Sequence, residues 1–497
     1  MSSSSSINEA MIRDVVSEVL TRLGKAPAAP PARPPASPAA SPALRSAAAA
    51  GTGRHYGVFP NADEACDAAQ AAFRQLSEAG VAGRQRVIEL IKEISYANAV
   101  EWGRLELDET KIGRLDHKIE KLKGLRAVPG VEFLHPYGLS GDHGITLEEC
   151  APFGVIGAVT PSTHSIPTLA CNVISMAAAG NAAVFNAHPG AYRCAVAATR
   201  VFNEAIHREL GIENLACIVE PPTLESFQAI ARNEHVKLLC VTGGPGVVKA
   251  AMASGKRAVC AGPGNPPVLV DGTSCLDRAA GHILLGAAYD NNLLCVGEKE
   301  VFVLAPVFDA LMAALERKGA VRLTAAQLER LTQAAFTFKE GQGGGCAEPS
   351  VNKALIGKDV AVLAQACGAT VRPDTPLLFA ETPASHPFVY EEQMMPFLPI
   401  IRVGSVEEGI EAARIAERGF KHSAMIHSHD VAHMTAMARA LDTTLFVKNG
   451  SCLAGLGSGG EGYPNFSIAT TTGEGICNPR TFTRVRRCVM VDKLRIF

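Results

Sequence analysis

The sequence predicts an α/β protein with two parallel-sheet domains. Short apolar runs bounded by Gly or Pro alternate with longer segments of helical period, the rhythm of βαβ units whose strands are buried on both faces. That rhythm runs twice, once from about Gly57 and again from about Val268. The chain has 497 residues, more than a single core organises. Two or three domains, with a site between them, are therefore expected.

The first element is a short amphipathic helix over residues 7–23. Ile7, Met11, Val15, Val19 and Leu23 recur every fourth position, and Ile12, Val16 and Leu20 fill the adjacent stripe. Ser6 and Glu9 have the capping-box spacing, and Gly24 stands where helices stop. Arg13, Asp14 and Glu18 interrupt the stretch and argue against a secretory signal. Residues 24–53 form an Ala/Pro-rich spacer in which seven prolines, Pro27 to Pro42, prevent a helix. The tethered helix has no local core, and an isolated helix of this length is marginal in water. It is expected to fold against a partner; a disordered tail of accidental period is the competing reading.

The body then reads in order. Helices are expected over 61–80 and 84–107, the second holding Ile88, Ile91, Ile94 and Trp102. Gly154–Thr160 is a strand ended by Pro161, and Thr168–Ala179 is a helix closed by Gly180. Asn181–Asn186, Ala216–Val219 and Val236–Val241 are further strands, with a helix over 190–210. The last strand runs into Thr242-Gly243-Gly244 and a helix. The second series holds a helix over 276–290 and strands at Glu300–Leu304 and Ile400–Val403.

Composition narrows the function. A net charge of −2 gives no electrostatic reason to expect nucleic acid or an anionic membrane as partner. One Trp in the whole chain is a poor base-stacking platform. No apolar run is long enough to span a bilayer, so a soluble cytosolic protein is expected. The 14 Cys are scattered without a C-x-x-C pair, as in buried thiols of a reducing compartment. No metal site is expected: His427 and His429 lack companion ligands and are read as solvated loop. Gly341–Gly345 reads as a flexible turn, Lys299 and Glu300 as a strand start, and Arg484, Arg486 and Arg487 as a solvated or interface edge.

The most informative segment is Asp290-Asn291-Asn292-Leu293-Leu294-Cys295-Val296-Gly297-Glu298-Lys299. Cys295 stands between a helix end and a loop that leads into a strand. That placement suits an accessible nucleophile, although the local sequence alone leaves an inert Cys equally open. Its companions, in chain order, are Thr160-Pro161-Ser162-Thr163-His164, Ala179-Gly180-Asn181, Phe185-Asn186-Ala187-His188-Pro189, Thr242-Gly243-Gly244, Cys260-Ala261-Gly262-Pro263-Gly264-Asn265 and Glu391-Glu392-Gln393-Met394-Met395-Pro396. Together these motifs resemble the aldehyde dehydrogenase superfamily, specifically the CoA-acylating propionaldehyde and acetaldehyde dehydrogenases of bacterial microcompartments. The resemblance covers nearly all of residues 54–497.

The resemblance implies a fold of two Rossmann-like domains plus a small oligomerisation element. It places an NAD-binding domain at 54–266, a catalytic domain at 267–450, and a return to the cofactor domain at 451–497. A hairpin near 130–150 and the C-terminal strand are expected to make a homo-oligomer, dimer or tetramer. The N-terminal helix and spacer look like an encapsulation peptide and linker, so shell proteins are the expected partner of residues 7–23, within a bacterial microcompartment.

The implied chemistry is attack by the Cys295 thiolate on an aldehyde, giving an oxyanion that needs preorganised donors. The Cys295 backbone N–H is one. The other is expected from Thr163 or His164, because the Asn many relatives carry in this loop is absent here. For His164 an ordinary polar loop residue is the alternative. The cofactors implied are NAD and, as co-substrate, coenzyme A. Thr160, Pro161, Asn186, His188, Pro189, Thr242, Gly243, Gly244, Gly262 and Glu392 are the expected cofactor-binding residues. Asn186 and His188 are placed at the adenosine ribose and Glu392 at the nicotinamide ribose. A Lys common near Asn186 in hydrolytic relatives is missing, so NADP stays open beside NAD.

Hydrolytic relatives also carry a Glu base before a Leu-Gly-Gly in the segment matching 260–265. Cys260–Asn265 has no carboxylate. Water needs a base to attack a thioester at neutral pH, whereas a thiol of pKa ~8.5 is already partly thiolate. Acyl-CoA is therefore the expected product. Glu298 as a substitute base, and hence a hydrolytic enzyme giving free acid, is the alternative. Propionaldehyde is the expected substrate and acetaldehyde the runner-up, since one methylene discriminates by only ~1–3 kcal/mol. A shell-associated scaffold without activity is the non-enzyme reading, opposed by the intact Cys295 and Thr242-Gly243-Gly244 segments.

Overall fold

The computed structural model describes residues 55–339 and 348–493. The helix expected over 7–23, the spacer at 24–53 and the Gly341–Gly345 turn lie outside the described residues. Six strands form one parallel sheet: β1 (Val58–Phe59), β2 (Val155–Thr160), β3 (Ala182–Ala187), β4 (Ala216–Val219), β5 (Val236–Thr242) and β6 (Arg257–Ala261). Their order is β1-β4-β3-β2-β5-β6, with every pair parallel. β2 and β3 are buried at all positions. This explains their runs of Val, Ile, Ala and Phe without polar alternation, since helices cover both faces.

A second parallel sheet holds β7 (Pro267–Val270), β8 (Glu300–Leu304), β9 (Val321–Arg322), β10 (Leu378–Glu381), β11 (Phe397–Val403), β12 (Ser423–His427) and β13 (Leu445–Lys448). The order is β9-β10-β11-β8-β7-β12-β13. The chain then returns: Ala469, Cys477 and Phe482 pack into the core of the first sheet. A third, antiparallel sheet joins Tyr137–Gly141, Gly144–Pro152 and Thr483–Val491. Its last strand pairs along its whole length, from Thr483 opposite Pro152 to Val491 opposite Gly144. Within it Arg487 pairs with Glu148, and Arg484 donates to the carbonyl of Pro152.

Two expectations need correction. α1 (Ala62–Ala97) spans both segments expected as helices and breaks between them at Gly80, whose φ is +65°, in keeping with the expected separation. It does not reach 107 but ends at Asn98, whose backbone N–H and side-chain Nδ2 both donate to the Ile94 carbonyl. Trp102 consequently belongs to a separate helix, α2 (Ala99–Thr110), where it meets Phe202 edge-on at 5.3 Å. α3 (Leu115–Gly124) follows, and α4 (Ser165–Ala178) leaves the end of β2. His427 is not in a solvated loop: it ends β12, opposite Val270, and is buried beside His282. Strand pairing there overrides the polarity of the Ile426-His427-Ser428 stretch. His429 is exposed and hydrogen-bonds Thr273.

Candidate active site

The turn that presents Cys295 is built from left-handed backbone. Asp290, Asn291 and Asn292 have φ of +50°, +56° and +63° in succession. Asp and Asn tolerate this region better than other side chains, yet three together require outside support. The Asn291 amide donates to Gly357 O at 3.0 Å and to Asp359 at 2.8 Å. The Asn292 amide donates to Ala287 O and Glu298 O, both at 2.9 Å. Lys299 is wholly buried and donates to the carbonyls of Asn292 at 2.7 Å and Leu294 at 3.1 Å. It stands one residue before the strand, which begins at Glu300 and not at Lys299, and its charge serves the turn.

Cys295 sits half-buried on this turn, with its own N–H and that of Val296 directed at the sulfur. Burial and the facing Glu392 carboxylate push its thiol up to about 12, while Lys299 acts in the opposite sense. The Cys260–Asn265 loop passes against it. Gly264 N–H donates to Glu392, and a Cβ on Gly264 would lie 2.6 Å from the Cys295 carbonyl oxygen. Glu392, expected at the cofactor, is thus close enough for its charge to act on the thiol. Burial raises its carboxyl above the usual range.

The loop after β2 carries the expected second donor. Thr163 is half-buried, whereas His164 is buried at the N-terminus of α4 with its ring 5.3 Å from Phe466. Burial holds the His164 ring well below its ordinary pKa, so it is neutral. Its Nδ1 has no hydrogen-bond partner among the described residues. An apolar-walled cavity of about 260 Å³ opens beside this loop, lined by Lys121, Tyr289, Leu294, Leu453, Leu456 and Phe466. Leu294 ties it directly to the Cys295 turn.

The remaining expected residues gather at the carboxyl ends of the first sheet, where open α/β sheets bind ligands. Thr160 Oγ1 is buried with no partner among the described residues, and Pro161 is half-buried after it. Thr242 ends β5 and pairs with Ser467 at 2.9 Å. Gly243 and Gly244 lead into the helix Pro245–Met252, and nothing lies within 4 Å of a Cβ built on Gly244. Gly262 abuts Thr471. His188 and Pro189 are exposed, and His188 Nδ1 accepts from Gly190 N–H at 3.0 Å. Asn186 is buried, its amide committed to Thr223 O and Ser226 Oγ, so in this state its side chain braces the next turn.

A family model for the aldehyde dehydrogenase family matches residues 55–461. The chain belongs to that family. This aldehyde dehydrogenase is 45% identical over 453 residues to "Acetaldehyde dehydrogenase (acetylating) EutE" of Salmonella typhimurium, covering 91% of this chain and 96% of that protein. It is 37% identical over 490 residues to "Propanal dehydrogenase (CoA-propanoylating)" of the same organism, covering 98% of each. The crystal structure of Rhodopseudomonas palustris propionaldehyde dehydrogenase with bound propionyl-CoA superposes with a TM-score of 0.84 at 40% identity, covering 88% of this chain and 96% of that one. Within the family, this enzyme stands with the CoA-acylating aldehyde dehydrogenases.

Sequence reasoning missed Lys121, and it weighed Glu298 only as a substitute base. Lys121 reaches the turn from α3, 169 residues from Asp290 in sequence. Glu298 is wholly buried, accepts the Cys452 N–H at 2.9 Å and presses on Gly286. Burial raises its carboxyl to about 7. Both lie in charged stretches, Lys118–Lys123 and Glu298–Glu300, where nothing in the sequence marks them for burial.

Proposed function

We propose that this chain oxidises a short aliphatic aldehyde, propionaldehyde first, to its acyl-CoA with reduction of NAD. The observation that carries this reading is the Gly262-Pro263-Gly264 passage beside Cys295, which offers backbone and no carboxylate to activate water.

The nicotinamide cofactor fits the ends of β2 and β5: Thr160 Oγ1 is an unpaired buried group there, and Gly244 leaves open space. Thr160, Pro161, Thr242, Gly243, Gly244 and Gly262 would hold it, with His188, Pro189 and Asn186 further out and Glu392 toward Cys295. When bound, it supplies the hydride acceptor. An engineered glycolyl-CoA reductase of similar structure, 39% identical, was solved with NADP+, so the phosphate preference is part of the proposal.

Cys295 gives its thiol proton to solvent and its sulfur bonds to the aldehyde carbon, whose oxygen gains the negative charge. The Cys295 N–H and a donor from Thr163 or His164 hold that oxygen. Loss of hydride from the carbon re-forms the carbonyl and leaves an acyl thioester on Cys295. The thiolate of CoA then attacks that carbon, and the Cys295 thiolate leaves.

Acetaldehyde is favoured as a second reading by the 45% identical acetylating relative. NADH formation with each aldehyde, with and without CoA, in wild type and Cys295→Ala tests the scheme. Sustained turnover that needs CoA and Cys295 and yields propionyl-CoA supports it; sustained turnover without CoA would overturn the acyl-transfer step. We further propose a homo-oligomer through the third sheet, domain boundaries near 266 and 450, and recruitment to a microcompartment shell by residues 7–23. Deleting residues 1–23 is expected to release the enzyme from shells at unchanged turnover; persistent co-purification with shells would refute that role.

A further inference from the structure

We propose that α3 sets the spacing between the two halves of the reacting centre, with Lys118 and Lys121 as positioning residues. This rests on the reading that Cys295 attacks a carbonyl whose oxygen is held between the Cys295 turn and the Thr163–His164 loop.

Lys118 and Lys121 lie three residues apart and so share one helix face. Their side chains are 1% and 2% exposed, and their acidic partners Glu106 and Asp290 are 2% and 0% exposed. Lys118 pairs with Glu106 at 2.9 Å and makes a long contact of 3.5 Å to the Thr163 carbonyl. The other Glu106 oxygen accepts the N–H of Ile166 at 3.0 Å. This unit therefore grips the chain on both sides of His164.

Lys121 forms a short ion pair with Asp290. The second Asp290 oxygen accepts the Arg114 N–H at 2.7 Å, and the Asp290 N–H donates to His117 Nδ1 at 2.8 Å. The His117 ring stacks on Tyr289 at 4.2 Å. One short helix and the residue before it thus hold Tyr289 and the first of the three left-handed residues that lead to Cys295.

Two buried ion pairs are a costly way to stabilise a fold, because desolvation consumes most of the attraction and apolar side chains of similar size do as well. What apolar packing lacks is direction. Charges on one helix face fix a distance between two loops, and a misplacement of about 1 Å at a reacting centre costs roughly a hundredfold in rate.

The test compares Asp290→Asn, Lys121→Met and the double variant with wild type. Three quantities are read: the NADH burst without CoA, in amplitude and rate; the rate of Cys295 alkylation by iodoacetamide over a Cys295→Ala blank; and the KM for NAD. Each single variant is expected to slow burst and alkylation by about tenfold or more, with the KM for NAD within about twofold. The double variant is expected to lose less than the product of the singles, since neither charge is left alone. Wild-type rates per competent site, with loss confined to burst amplitude or Tm, would mean that the pair serves folding only and would overturn the proposal. Should Asp290→Asn fail to fold, Lys121→Arg keeps the charge at altered reach and carries the same measurements. If wild type makes no NADH from any short aldehyde, the functional reading fails, and the alkylation rates alone still decide whether α3 positions Cys295.

Discussion

Gly264 and Cys295 meet backbone to backbone: a Cβ on Gly264 would come within 2.6 Å of the Cys295 carbonyl oxygen and 2.8 Å of His422 Cγ. His422 is wholly buried and Cys295 is anchored by its turn, so neither neighbour yields easily. Gly264→Ala is therefore expected to displace the nucleophile and lower the NADH burst rate by roughly a hundredfold, with the protein still folded. A burst rate within twofold of wild type would show that the loop relaxes away.

Glu392 faces the thiol, and its negative charge disfavours the thiolate. Removing the charge in Glu392→Gln lowers the Cys295 pKa, so the alkylation rate should rise at a lower pH than in wild type. Cofactor affinity should fall in the same variant, since Glu392 is the group proposed to lie toward the nicotinamide ribose. An unshifted alkylation profile would place Glu392 outside the thiol's electrostatic reach.

Lys299 acts with the opposite sign. Burial pushes its own pKa down, yet its charge favours the Cys295 thiolate and its Nζ holds the carbonyls of Asn292 and Leu294. Lys299→Met should move the alkylation profile to higher pH and cost about 1–3 kcal/mol of stability from unpaired carbonyls. Urea unfolding at neutral pH, run beside the alkylation series, checks both halves.

The alternation of buried strands and helices was legible because strands such as β2 and β3 are covered on both faces and read as largely apolar runs. The turn that carries Cys295 into a strand was legible, while its role as nucleophile rests on the resemblance and stays a proposal. Asn98 was not: a helix end inside a periodic stretch depends on one side chain turning back to Ile94, which period cannot reveal. His427 failed for a related reason, because the burial of a polar residue is decided by β7 beside it. Lys121 and Asp290 were invisible as a pair, being joined only by tertiary folding.

The third sheet presents Val485, Val489 and Val491 at 68%, 54% and 72% exposure, with Tyr137 at 61% on the partnering hairpin. Unpaired apolar side chains on a sheet edge invite a second chain. Val485→Glu with Val489→Glu should convert the proposed oligomer to monomer in sedimentation velocity. An unchanged sedimentation coefficient would move the interface elsewhere.

Glu298 gives a pH-dependent stability whose sign is fixed by burial. Its carboxyl is raised to about 7 in the fold, because desolvation outweighs the Cys452 N–H it accepts. Between the unfolded carboxyl pKa of about 4.3 and that value, the folded state binds more protons than the unfolded state. Stability therefore falls as pH rises through this window, by about 4 kcal/mol at most for a single buried group. Glu298→Gln keeps an oxygen for Cys452 and removes the ionisation, so its urea-unfolding free energy should decline less from pH 5 to 8. Parallel pH curves would show that Glu298 does not titrate in this way. The same variant separates acyl transfer from hydrolysis: CoA-dependent NADH formation should persist, since one carboxylate oxygen accepts the Cys452 N–H and the carboxyl packs against Gly286. Loss of product in Glu298→Gln would instead make Glu298 the missing base.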